Sequence, residues 1–389
     1  MQIFSDTKID FLGRRRYFIA LSIALIVASV VSLALHGGPR LGIDFKGGTL
    51  VYVKFKEAPD VGRIRDALAQ EGVNVATLQP FAEEGSHELK IDLDVVSEEN
   101  LGIGRETIET MLHSIYPPEA GKLDFNNIGE DTLADRLKQR LASSPLSSAE
   151  IEQAAKTLID FRDAAPRTGL VKDFSELTSV PGVVPDIISA LREEAYLGDF
   201  ALRGVEVVGP KIGRDLQWQA VQATMAALGG MLLYIAFRFE WIYGVAAVVA
   251  IFHDVLITLG FFSLFNREIE LTVIAALLTL VGYSMNDTIV IFDRVRENLK
   301  LTRKQPLEKL LNDSVNQTLS RTVLTSGLTF IAVLSLFLFG GEVLRGFSFA
   351  LVVGVLVGSY SSIFVASPLL LWWRNLATAR SATQRRAAR

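Results

Sequence analysis

Apolar residues gather into six runs along this chain, at 17–35, 216–237, 241–265, 271–292, 322–339 and 347–373. Runs of ~20 residues match the length at which a helix crosses a bilayer. Residues 36–215 are polar and patterned differently. Alternating apolar and polar positions, rich in β-formers, predict strands at 48–57, 73–81, 88–96 and 200–208. Helical spacing predicts a helix at 59–70, where Val61, Ile64 and Leu68 follow Pro59. A second is expected at 97–115, with Ser97 as cap before Leu101, Ile108 and Leu112. The order β-α-β-β-α-β is that of the ferredoxin-like split βαβ unit. A further segment, 128–198, carries helical patterns at 132–141, 147–162, 174–178 and 185–194. The expected fold class is therefore a multi-pass α-helical membrane protein with six spans. It carries an α+β ferredoxin-like domain with a helical insert.

Charge orients this plan. Arg14, Arg15 and Arg16 precede the first run, residues 294–321 hold seven Lys and Arg, and the tail 374–389 is basic. The short polar stretches 266–270 and 340–346 carry little positive charge. By the positive-inside tendency, 1–16, 294–321 and 374–389 are cytoplasmic and 36–215 lies outside the cytoplasm. Trp241, Trp372 and Trp373 fall where interfacial aromatics sit. A basic start before an apolar run has the outline of a signal peptide. This run is too long for that, and no convincing small-x-small site precedes Gly37, so an uncleaved helix is expected. With no cysteine and four scattered histidines, neither disulfides nor a metal centre are expected.

The chemistry is in the apolar runs. His253 and Asp254 interrupt one, Asp287 another, and Asp293 and Arg294 close the latter. A charge at a span's centre costs at least ~2.5–3.5 kcal/mol, so a partner charge, water or a proton must offset it. Asp254 lies 13 residues from the start of its run, roughly 20 Å deep, and is the first candidate for a proton-binding group. Asp287 and Arg294, two helical turns apart, share a face, with Asn286, Asp293 and Glu297 on a neighbouring one. Arg294 serves either function or anchoring on this evidence. His253, Asn286, Asp293, Thr325 and Ser326 are candidate shell residues. Structural alternatives exist for each: a capping carboxylate, a helix contact, an end-of-helix anchor. Gly282, Ser284, Gly327, Gly354 and Gly358 are expected to allow close helix contacts.

The stretch LTSVPGVVPDIISALRE in the insert resembles a helix-hairpin-helix. Its turn has one glycine, its second proline lacks an N–H, and its surroundings are acidic, so no nucleic acid is expected.

Longer motifs carry a resemblance. LGIDFKGG at 41–48 (with Gly42, Asp44, Gly47 and Gly48), VGPKIGRDL at 208–216 (with Gly209 and Pro210), FHDV at 252–255, VGYSMNDTIVIFDRVREN at 281–298 and QTLSRTVLTSGLT at 317–329 resemble the SecF family. SecF is the smaller of the paired SecD/SecF subunits of bacterial protein secretion, within the RND superfamily. The insert departs from the usual pattern. The resemblance implies a SecD-like partner, the SecYEG channel, an insertase of the YidC kind, and unfolded polypeptide in transit. It implies a non-enzymatic role with protons as coupling ion and no cofactor. It also implies that Asp254, with Asp287 and Arg294, lies on a proton path. The absence of a Walker-type G-x-x-x-x-G-K-[ST] loop fits a gradient as energy source. The rivals are a half-size efflux subunit, which would need a larger external region with an apolar pocket, and a membrane-tethered binding module, which would work without Asp254.

Overall fold

The computed structural model describes residues 7–70, 75–81, 87–93, 103–238, 241–302, 305–341 and 343–374. The expected cap Ser97, Leu101, residues 73–74 and 94–96 of the expected strands, residues 239–240 and the tail from 375 lie outside the described residues.

In chain order, helix α1 (Arg15–Leu35) and the short α2 (Ile43–Lys46) precede strand β1 (Gly48–Phe55), α3 (Val61–Gln70), β2 (Val75–Phe81), β3 (Glu88–Leu93) and α4 (Ile103–Ile115). Next come β4 (Leu123–Asp124) and, in the insert, α5 (Glu130–Arg140), α6 (Ser148–Asp163), α7 (Pro185–Glu194) and β5 (Ala195–Tyr196). Then come β6 (Phe200–Val208) and the long helices α8 (Pro210–Arg238), α9 (Trp241–Leu264), α10 (Leu271–Leu301), α11 (Leu307–Phe339) and α12 (Arg345–Ser361). They form two compact units: Met1–Phe45 with Asp215–Arg389, and Lys46–Arg214.

In the second unit the strands join in the order β2-β3-β1-β6, every pair antiparallel. Val51 at the centre of β1 sits opposite Ile91 and Val205. Val51, Val53, Leu89 and Ile91 are buried with Ile64 and Leu68 of α3 and Ile108 and Leu112 of α4. The amphipathic spacing in the sequence is what lets these helices cover the sheet. The insert has a core of its own, around Leu137, Leu158, Leu177 and Leu191. The parallel pairing of β4 with β5 closes its base. Ser147 caps α6 in a capping box: the Glu150 amide donates to Ser147 Oγ (3.3 Å) and the Ser147 amide to Glu150 Oε2 (2.8 Å). The helix expected at 174–178 is instead a 3₁₀ turn, Leu177–Ser179. Asp173 and Glu176 take nearby backbone amides into side-chain turns, and such local bonds compete with a helix.

In the first unit, five described helices are long and apolar enough to cross a membrane: α1, α9, α10, α11 and the α12 stretch Arg345–Arg374. The remaining apolar run lies within the 29-residue α8, which opens on Pro210, a residue suited to a first helical turn. The basic stretch 294–321, which lies between two apolar runs, is largely helical: α10 continues to Leu301 and α11 begins at Leu307. Leu, Arg, Lys, Glu and Gln are good helix formers whatever their charge, so loss of hydrophobicity did not end the helix. Pro306, lacking an N–H, marks where α11 starts. A π-helical turn, Ser362–Ala366, interrupts the last span. Small residues set the close crossings: a Cβ on Gly260 would lie 1.9 Å from Ser29 Oγ of α1, and one on Gly354 would lie 2.5 Å from a Leu280 methyl of α10. Gly282 and Gly327, also expected at contacts, have nothing within 4 Å.

Candidate functional site

Asp254 and His253 sit at the middle of α9, 1% and 3% exposed. The Asp254 carboxylate accepts from Ser284 of α10 (2.5 Å) and Ser361 of α12 (2.8 Å), and its other oxygen lies 2.9 Å from His253 Nδ1. His253 Nε2 meets Ser22 of α1 at 3.1 Å, and Ser22 Oγ lies 3.0 Å from the Tyr360 hydroxyl, which donates to Phe18 O (2.5 Å). One buried polar chain thus ties α1, α9, α10 and α12 together. Gly358 makes room for it: a Cβ there would stand 3.1 Å from Ser284 and 3.6 Å from Asp254 Oδ2.

Asp287 lies one turn further along α10 than Ser284 and is also buried, at 3% exposure. Its single hydrogen bond among the described residues comes from Ser326 of α11, at 2.9 Å. Two hydroxyls nearby lack a partner among the described residues. Thr322, one turn before Ser326, buries an Oγ1 with none. The Tyr283 hydroxyl lies beside Ser326, Thr329 and Ser359 but makes no hydrogen bond of normal geometry. Arg321, an exposed cation on the same helix as Ser326, is within electrostatic range of Asp287 but makes no ion pair with it among the described residues. Beside it, Thr288 and Ser362 hydroxyls lie 2.9 Å apart, and Ser367 donates to Ser362 O within the π-helical turn. Such turns often mark functional places in helices.

The other sequence candidates divide. Ser326 is in the site. Arg294 is not joined to Asp287: its guanidinium donates to Gln317 Oε1 (2.5 Å) and Glu297 Oε2 (2.6 Å) on the helical extensions. Asp293 is exposed and pairs with Arg238 (3.1 Å). Asn286 is exposed within this chain. Thr325 turns its hydroxyl to its own helix, donating to Arg321 O at 3.0 Å. Arg321, Tyr283 and Ser361 escaped the sequence reading. Arg321 looked like an ordinary cation at the foot of a span, and its spacing of five from Ser326 does not put the two on one helix face, so the sequence held no signal for it.

The glycine-rich motif is structural in a definable way. Gly47 holds φ +75°, and a Cβ there would come within 2.9 Å of Pro210 Cα, so the two motif stretches 41–48 and 208–216 meet at a place only glycine fits. Gly48 (φ +150°) opens β1 opposite Val208, and Gly209 O accepts from Gly213 N at the start of α8. Gly42 donates its amide to Ile269 O (2.9 Å), and Asp44 accepts from Leu271 N (2.8 Å).

Comparison with known proteins gives this arrangement its class. The SecD/SecF GG motif matches residues 34–59, and the C-terminal model of the protein export membrane protein SecD/SecF matches residues 188–376. The chain is an integral membrane protein of that export class. It is 48% identical to protein translocase subunit SecF of Koribacter versatilis, over 96% of this chain and 94% of that one. It is 36% identical to the SecF of Calditerrivibrio nitroreducens, over 96% of each. It therefore belongs to the SecF family of protein translocase subunits, members of the Sec export pathway. A crystal structure of SecDF from Thermus thermophilus, a translocon-associated membrane protein, superimposes with a TM-score of 0.64 at 31% identity, over 95% of this chain and 39% of that one. A second, of SecDF in a super-membrane-facing form, gives 0.56 at 32% identity over 98% of this chain and 41% of that one. This chain spans about two fifths of those longer proteins.

Proposed function

We propose that this chain works with a SecD-like partner, using the proton gradient to promote movement of unfolded polypeptide across the bacterial inner membrane. The fusion of SecD and SecF in one Thermus chain supports the partner. In this reading α8 is a sixth span and both termini are cytoplasmic. The sheet unit, whose strand order suits a ferredoxin-like fold, is periplasmic. SecYEG and a YidC-like insertase are its neighbours, and the protein has no cofactor beyond the proton.

The observation that carries the proposal is Asp287: a buried carboxylate with one hydrogen-bond donor among the described residues, on a helix that also carries the cation Arg321. An ionised carboxylate so poorly supplied is costly in hydrocarbon. A proton, or the approach of Arg321, relieves that cost, and the two alternatives are the states of a switch. Asp254, held by His253, Ser284 and Ser361, is the second proton-holding group. Moving one charge across the membrane supplies ~2.3 kcal/mol per 100 mV, so a few protons suffice to drive a domain movement.

The test is export of a secretory polypeptide into inverted membrane vesicles, with and without an imposed gradient. Asp287→Asn and Asp254→Asn are expected to insert at normal levels and lose the gradient-dependent part of transport. Full stimulation by the gradient in both variants would refute the proposal.

A further inference from the structure

The chain passes between its two units twice, at Phe45–Lys46 and at Arg214–Asp215. The second crossing lies inside the continuous helix α8. The first is a strap bound to the start of α10, the helix that carries Asp287. Ile269 N donates to Arg40 O (2.7 Å) and Gly42 N to Ile269 O (2.9 Å), so Leu41 and Ile269 form a bridge. Two residues on, Asp44 Oδ2 accepts from Leu271 N at 2.8 Å. The first amides of a helix have no partner within it, and Glu270, at the N-cap position, offers no side-chain cap. Asp44 supplies that acceptor from 227 positions away, with its charge at the favourable end of the helix dipole.

The strap is anchored at its other end as well. Phe45 is 2% exposed in a cluster with Ile269, Val273 and Phe349, and its carbonyl accepts from Gln217 Nε2 of α8 at 2.7 Å. The next residue opens the other unit, where Lys46 Nζ bonds Asp92 Oδ2 of β3 (2.8 Å). Gly47 then presses on Pro210 at the start of α8.

We propose that Asp44 is a positioning residue that couples α10 to the sheet unit, so that a shift of the helix at Asp287 is delivered to the chain entering β1. The inference rests on the reading of Asp287 as the switch. Asp287 lies 16 residues beyond Leu271, ~24 Å along a helix that is stiff on its axis. Any slide or rotation of α10 is therefore felt at Leu271 and passed through Asp44 to Phe45 and Lys46. Without the Asp44 carboxylate, the strap keeps only the Leu41–Ile269 bridge and the packing of Phe45, and the shift reaches β1 weakened.

The chain has no cysteine, so Gln153→Cys in α6 and Lys309→Cys in α11 place a fluorophore pair on the two units of the full-length protein. Reconstituted with its SecD-like partner under an imposed proton gradient, the labelled protein is expected to change transfer efficiency, and Asp287→Asn to abolish the change. Asp44→Ala is expected to reduce it sharply, while a carboxyl infrared band assigned to Asp287 still responds to the gradient. Asp44→Asn, whose amide oxygen can accept from Leu271 N, is expected to restore most of the response and to guard against a folding defect. A wild-type response in Asp44→Ala overturns the role of Asp44 alone. An Asp44→Asn variant that folds and inserts but responds no better than Asp44→Ala also counts against it. No response in the wild-type protein overturns the switch reading and this inference with it.

Discussion

At Asp254 three side chains converge on one carboxyl group, while at Asp287 a single serine does. Both residues stand out in the sequence because charge is expensive in hydrocarbon. What the sequence did not reveal is the number of partners, since those come from helices far away in the chain. Asn286 shows the same limit: a polar residue beside Asp287 looked like part of its shell, yet α10 turns it away from Ser326 and outward. The glycines allow a sharp comparison at this scale. Gly260→Ala would force apart α1 and α9, because the new methyl overlaps Ser29 down to its Cα, 2.7 Å away. It is expected to destabilise by about 1–3 kcal/mol, as overpacking does. Gly282→Ala, with open space around it, is expected to leave the melting temperature of the purified chain within a degree or two. Thermal melting in detergent reads both, and equal melting temperatures for the two variants would contradict the crossing described here.

Among the elements, strands and amphipathic helices of the sheet unit were legible because periodicity reports burial on one face. The ends of α10 and α11 were not, since hydropathy marks where lipid would stop and says nothing about where a helix stops. The insert was legible as helices but not as a separate core. Two elements there give tests. Ser147→Ala removes the capping box of α6 and is expected to cost about 1 kcal/mol, read as faster amide exchange in its first turn. At the insert's base, burial pushes the Asp124 carboxyl above the usual carboxylate range, only partly offset by donation from Asn127, Asn126 and Gly198. Its folded-state value is therefore above the unfolded one. The stability it contributes is full below the unfolded pKa and is lost as pH rises through the folded value. The melting-temperature advantage of wild type over Asp124→Asn is expected to be larger at pH 4.5 than at pH 7.5. The opposite trend would mean that the donors outweigh burial.

For the whole molecule, the two separate cores of the sheet and the insert argue that the insert is dispensable to the fold. No residue of 130–193 belongs to the core beneath the sheet, and Leu123 and Ala195 are paired neighbours at the insert's base. Replacing 130–193 by a short glycine-serine link is expected to leave amide protection in β1 and β3 intact, with a local loss around Lys54. That lysine now donates to Pro166 O, Arg167 O and Thr168 Oγ1. Unfolding of the sheet would contradict the independence of the cores.

The central claim concerns a proton at Asp287, and the most direct measurement watches it. Infrared difference spectra of the reconstituted protein, taken as the outside is acidified, should show a protonated-carboxyl band that appears in wild type and is missing in Asp287→Asn. A spectrum that stays flat in wild type, or a band that survives unchanged when Asp287 and Asp254 are both replaced by asparagine, would contradict the account.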